Sequence, residues 1–140
     1  MAKKIKLTIV SQERELISAQ VDQVTVPAAE GTMTILPNHT PIVSRLNYGE
    51  LRYVQAKGAQ SLVVSKGFVH VTPNNEVIVV VDAAKHVREI SLNKSKQAML
   101  KAKETLKQSS NQRELMMAEA SLRQAMWEIR LAQKTKKTQH

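Results

Sequence analysis

The sequence predicts an α+β chain, with an antiparallel β-sandwich first and an antiparallel two-helix hairpin after it. Three observations carry that prediction. Short β-branched runs follow one another as far as Asp82 with turn residues between them, the pattern of a sandwich or barrel. From Leu92 to Leu106, and again from Arg113 to Lys134, Gly and Pro are absent, and good helix formers (Ala, Leu, Met, Gln, Glu, Lys) dominate. Charge divides at the same place. Residues 1–84 hold eight Lys/Arg against seven Asp/Glu, a net +1; residues 85–140 hold thirteen against five, a net +8; together these give the +9 of the 140-residue chain. Two domains follow, a β-sandwich over 1–84 and a basic helical hairpin over 85–140.

In the first strand, Ile5, Leu7 and Ile9 alternate with Lys4, Lys6 and Thr8, so one face is apolar. In the second run Val24 and Val26 share a side, and the strand ends at Pro27. The stretch from Glu30 to Leu51 is dense in Gly, Pro, Asn and His, and reads as a loop held in one defined shape. Three further β-branched runs lie between Gly49 and Asp82, broken at Lys57-Gly58 and at Pro73-Asn74-Asn75. The last, Val77 to Val81, is apolar throughout and reads as buried on both faces. Aromatics are only 3% of the chain, so the core is expected from Val, Ile, Leu, Ala and Met.

Ser91 or Asn93 can cap the first helix and Asn111 the second, with Gln108–Asn111 breaking the run into a hairpin. Leu115, Ala118, Leu122, Ala125, Ile129 and Ala132 recur at steps of four and three, an Ala-rich seam for a close partner helix. Leu92, Met99, Ala102 and Leu106 form a thinner seam on the first helix. Ala120, Arg123, Trp127, Arg130 and Lys134 fall on another face. That face is either a Trp packed on the β domain beside solvated charges, or a partner surface of the Trp–Arg kind enriched at interfaces.

The residues argue against catalysis. With no Cys there is no disulfide and no thiolate chemistry. His39, His70, His86 and His140 show no ligand spacing, and neither a phosphate-binding glycine loop nor a nucleophile elbow is present, so no metal and no cofactor are expected. No apolar run approaches the roughly 20 residues of a membrane span, and the start reads as no signal peptide. The basic back half calls for an acidic partner. Nucleic acid is disfavoured, because Tyr48, Tyr53 and Phe68 are the only aromatics of the front half. A membrane surface is disfavoured because the Ala-rich helix face lacks bulk.

Glu30-Gly31, Ile35-Leu36-Pro37, His39, Pro41, Leu46 and Gly49 are spaced as in the glycine-and-proline segment of the epsilon subunit of F-type ATP synthases, bacterial or plastid type, which this chain resembles. Ser65–Val71, Val77–His86 and Leu122–Lys137 resemble later segments of that family, so the resemblance runs from about Ile5 to Lys137. Asn38, Thr34 and Lys66 stand where glycines are common, and Thr32 where Glu is common. The resemblance implies a non-catalytic rotor subunit of the central stalk that couples the gamma shaft to the c-ring. It places Glu30, Gly31, Thr32, Pro37, Asn38 and His39 against the ring, or leaves His39 as a stabiliser of the segment's shape. It makes the hairpin an inhibitor of ATP hydrolysis, with Arg113, Arg123, Trp127, Arg130, Lys134, Lys136 and Lys137 facing an acidic loop of the catalytic beta subunit. An ATP motif of some relatives maps onto Leu92, Asn93 and Lys96, where its Asp and Arg have become Asn and Lys, so weak or no ATP binding is expected. The expected location is peripheral, on the cytoplasmic face of the cell membrane or on a plastid thylakoid, held there only through the complex.

Overall fold

The computed structural model describes the backbone of residues 3–138 and the side chains of residues 3–134. The strands are β1 (Ile5–Val10), β2 (Glu15–Val21), β3 (Gln23–Ala28), β4 (Gly31–Ile35), β5 (Ile42–Leu46), β6 (Gly49–Gln55), β7 (Gly58–Val64), β8 (Gly67–Val71), β9 (Glu76–Val81) and β10 (Ala84–His86). A 3-10 turn (Val87–Glu89), α1 (Leu92–Gln108) and α2 (Gln112–Thr138) follow.

Hydrogen bonding orders the strands β10-β7-β6-β3-β5-β8-β9-β1-β2, with β4 added on the other edge of β3. All of these pairs are antiparallel except β1 with β9. The alternation read in β1 is kept: Ile5, Leu7 and Ile9 point inward and are buried. They meet Val24 and Val26 of β3, Leu51, Leu62 and Val64 of β6 and β7, and Val69, Val71, Val77 and Val79 of β8 and β9 in one aliphatic core. The layers join at β3. Its Gln23–Thr25 half pairs with β6, its last residue Ala28 pairs with Leu46 of β5, and its other edge pairs with β4 from Val24 to Ala28. Pro27 sits where β3 passes from β6 to β5, and its carbonyl accepts from the Asn47 N–H. A residue without an N–H fits at a strand position that is changing partners. The Asp22 N–H donates to the Val54 carbonyl, drawing the end of β2 against β6.

Three expectations are corrected. The Glu30–Leu51 segment is not a single loop: it contains β4, β5 and the start of β6, and its Gly, Pro and Asn mark the tight turns between them. Val77–Val81 is not buried on both faces, because Val80 points outward at 46% exposure while Val77, Val79 and Val81 point in. The first compact unit runs to His86, two residues beyond the expected 84, because Ala84, Lys85 and His86 pair with Val64, Val63 and Leu62 of β7.

The second unit begins at Val87. The Ser91 hydroxyl accepts from the Lys94 N–H at 3.4 Å and starts α1. The Asn111 side-chain oxygen accepts from the N–H groups of Arg113 (2.9 Å) and Glu114 (3.2 Å) and starts α2. Ala118, Ala125 and Ala132 are buried on α2, opposite Ala102 and Ser95 on α1. Ser95 fills the gap between Leu92 and Met99 in the thinner seam, which was missed because the residue is polar. Small side chains there let the two helices approach closely.

Gly67 opens β8 with no room for a side chain: a Cβ on it would stand 2.0 Å from the Val80 carbonyl oxygen and 2.8 Å from the Val81 Cα. Gly67→Ala is therefore expected to destabilise the sandwich by about 1–3 kcal/mol in urea denaturation. A change within about 0.5 kcal/mol, as at an ordinary surface site, would show that β8 can shift away from β9 at little cost.

Candidate partner-binding surfaces

The six residues expected to meet a ring fall into two groups. Glu30 lies in the two-residue turn between β3 and β4, closed by the Ala28–Gly31 pair, where Gly31 adopts φ 130°. Glu30, Gly31 and Thr32 are exposed. Pro37, Asn38 and His39 lie at the far end of β4, about 15 Å of strand away. There the His39 N–H donates to the Leu36 carbonyl at 3.1 Å across a turn with Pro37 second and Asn38 third. Asn38 has φ 68°, which Asn tolerates better than most residues. Its side-chain oxygen accepts from Asn75 Nδ2 (3.3 Å) and from Lys3 Nζ (3.4 Å), and its N–H donates to Asn75 Oδ1. Asn75, at φ 56°, belongs to the β8–β9 turn, so two left-handed residues brace each other. The His39 ring Nδ1 lies 2.7 Å from the Thr40 carbonyl oxygen, a bond made only when that nitrogen carries the proton. These contacts brace the Pro37–His39 turn against Lys3 and the β8–β9 turn.

The residues missed by sequence reasoning lie on the outer face of β5, β8 and β9. The register sets Val43 beside His70 and His70 beside Ile78, and in the next row Arg45 beside Phe68 and Phe68 beside Val80. Val43, Phe68 and Val80 are 66%, 53% and 46% exposed. Their strand neighbours Val69, Val71, Val77 and Val79 fill the core from the other face. Large apolar side chains left open to water on a sheet face, here interspersed with Arg45 and His70, mark a candidate interaction surface.

On the hairpin, the Arg130 guanidinium lies over the Trp127 ring, 5.0 Å from its centroid. Trp127 is half-buried, and Arg123, Arg130 and Lys134 are exposed on the same face. Arg123 reaches back to Glu119 at 3.0 Å. Arg113, in the first turn of α2, is exposed and lies more than two helical turns from Arg123. The Lys136 and Lys137 side chains lie outside the described residues. Of the degenerate motif, Leu92 is partly buried at the seam, while Asn93 and Lys96 are exposed. Between the helices lies an open groove of about 820 Å³, bordered by Lys96, Met99 and Leu100 of α1 and by Met126, Ile129, Arg130, Gln133 and Lys134 of α2. Among the described residues there is no cluster able to hold a metal ion, and no helix is long and apolar enough to cross a membrane.

Comparison with known proteins agrees with this fold. The family model of the β-sandwich domain of the ATP synthase delta/epsilon chain matches residues 4–87. The ATP synthase epsilon chain of Syntrophobacter fumaroxidans is 35% identical over 135 residues, covering 96% of this chain and 100% of that one. That of Dehalococcoides mccartyi is 38% identical over 135 residues, covering 96% of each. In a cryo-electron microscopy structure of the Euglena gracilis mitochondrial ATP synthase, comprising OSCP, F1 and c-ring in rotational state 1, one chain superimposes with a TM-score of 0.73 at 27% identity, over 88% of this chain and 78% of that one.

Proposed function

The chain belongs to the delta/epsilon family of ATP synthase chains and is a non-catalytic subunit; from that premise we propose that its sandwich couples the gamma shaft to the c-ring while its basic hairpin restrains ATP hydrolysis. The bare sheet face of Val43, Phe68 and Val80 carries the coupling half of this reading. Fully covering an exposed apolar side chain of that size is worth about 1.5–3 kcal/mol, and since these three are already about half buried, a shaft seated there gains a few kcal/mol from them before the cost of association. The face stands on a sheet whose other side is the aliphatic core, so a torque applied to it reaches the whole sandwich rather than a flexible loop. Of the two turn groups, the exposed Glu30–Thr32 tip suits contact with the ring's polar loops, because Pro37–His39 is already bound to Asn75 and Lys3.

The inhibitory half rests on charge. Arg113, Arg123, Arg130 and Lys134 present a cationic helix, with Lys136 and Lys137 following in sequence, to the acidic loop of the catalytic beta subunit. Each exposed pair contributes under about 1 kcal/mol, so the restraint comes from the array and weakens as salt screens it. ATP sensing has no place in this scheme, since Asn93 and Lys96 lack the carboxylate and guanidinium of the motif they occupy.

ATP hydrolysis by a purified alpha–beta–gamma complex tests the reading. The full chain is expected to slow turnover by about tenfold at low salt and progressively less as salt rises, whereas a chain ending at Val87 binds gamma without slowing it. Equal inhibition by both chains, or inhibition indifferent to salt, would remove the electrostatic restraint from the account.

A further inference from the structure

The groove between α1 and α2 has a polarity of its own, although it shares Arg130 and Lys134 with the cationic array of the restraint. In an antiparallel hairpin the early residues of α1 and the late residues of α2 lie at the same open end. Lys96, Arg130 and Lys134 therefore gather toward that end. Met99, Leu100 and Met126 lie toward the closed end, with Ile129 between. Leu100 and Met126 are 63% and 53% exposed, large apolar side chains facing water with no acidic residue among the described residues that border the groove. From Met126 to Lys134 the groove runs about 12 Å, the reach of a medium-length acyl chain. Its volume of about 820 Å³ lies within the range of small-molecule sites.

We propose that this groove binds an anionic amphiphile, a medium-chain carboxylate whose tail lies on the methionines and whose head meets Lys96, Arg130 and Lys134. The floor suits a flexible chain, because thioether side chains repack around irregular apolar shapes. A nucleotide fits less well, since none of the described residues bordering the groove offers an aromatic ring for a base to stack on. A third helix with acidic flanks fits less well too. It would ask for cations along both sides of the groove, whereas here they collect at one end. Three cations around one carboxylate give the charge complementarity that selects an anion over a neutral amphiphile.

The full chain offers its own reporter, because Trp127 is its only tryptophan and lies under the rim residue Arg130. Laurate, titrated below its micelle concentration, is expected to change Trp127 emission saturably and to bind one-to-one by calorimetry. Octanoate is expected to bind at least about tenfold more weakly, having lost tail contact. Dodecyl maltoside, with the same tail and no charge, is expected not to bind at these concentrations. Joint Lys96→Gln and Arg130→Gln substitution, followed by calorimetry, is expected to weaken laurate about tenfold. Circular dichroism checks that helicity is kept, and Met126→Asp, which blocks the tail instead of the head, gives a second variant. Equal binding of laurate and dodecyl maltoside would reduce the effect to detergency and overturn the proposal. So would saturation by an acidic amphipathic peptide with no binding of laurate, which would assign the groove to a helix, or tight binding of ATP in place of laurate.

Discussion

The sandwich depends on the double pairing of β3. One edge of this six-residue strand holds β4, while the other divides between β6 and β5. Only a strand that changes partners can carry the chain from one layer to the other without a long crossover, and Pro27 stands at the change. The missing N–H that bars proline from the middle of a continuous ladder is harmless here. Once β3 is set, Val24 and Val26 point into the space between the layers, and β1, β8 and β9 close over them with side chains of similar size. The core is made almost wholly of Val, Ile and Leu, with Tyr53 its one aromatic side chain.

That economy has a consequence at the surface. β8 and β9 supply one face to the core through Val69, Val71, Val77 and Val79, yet the opposite face carries Phe68 paired with Val80 in one row and Val43 of β5 in the next, with Arg45 and His70 between them. The apolar outer row is where the demands of folding and of assembly separate, and it makes the sandwich a part shaped for a larger machine. The hairpin divides its labour similarly. Its seam is kept narrow by Ala and Ser, which leaves Leu100 and Met126 as a second apolar surface beside the cations.

Much of this was legible in the sequence. Alternation in β1 and the Pro73–Asn75 and Lys57–Gly58 turns marked true strands and hairpins, and Ser91 and Asn111 marked true helix starts. β4 and β5 were not legible. Within Gly31–Ile35 only Ile35 is fully buried, and within Ile42–Leu46 only Leu46 is, so neither strand writes a period of two strong enough to stand out among the surrounding Gly, Pro and Asn. The run Val77–Val81 misled for a different reason. Hydrophobicity on both faces is the same signal whether the second face meets the protein's own chain or another, and composition cannot separate the two. The cationic residues of α2 were found by periodicity, but their pairing with Glu119 and Trp127, and the groove beside them, required three dimensions.

The central claim is that the Val43–Phe68–Val80 face is covered in the assembled rotor. Because the chain has no cysteine, a Phe68→Cys variant carries a single thiol at the middle of that face. Its rate of modification by a water-soluble maleimide can be measured in the free chain and again after co-purification with a gamma-containing complex. The account predicts rapid labelling when free and protection of at least about tenfold when assembled, since a buried thiol is shielded from both reagent and base. Equal labelling in the two states would mean that the shaft is held elsewhere and that the bare face serves some other partner.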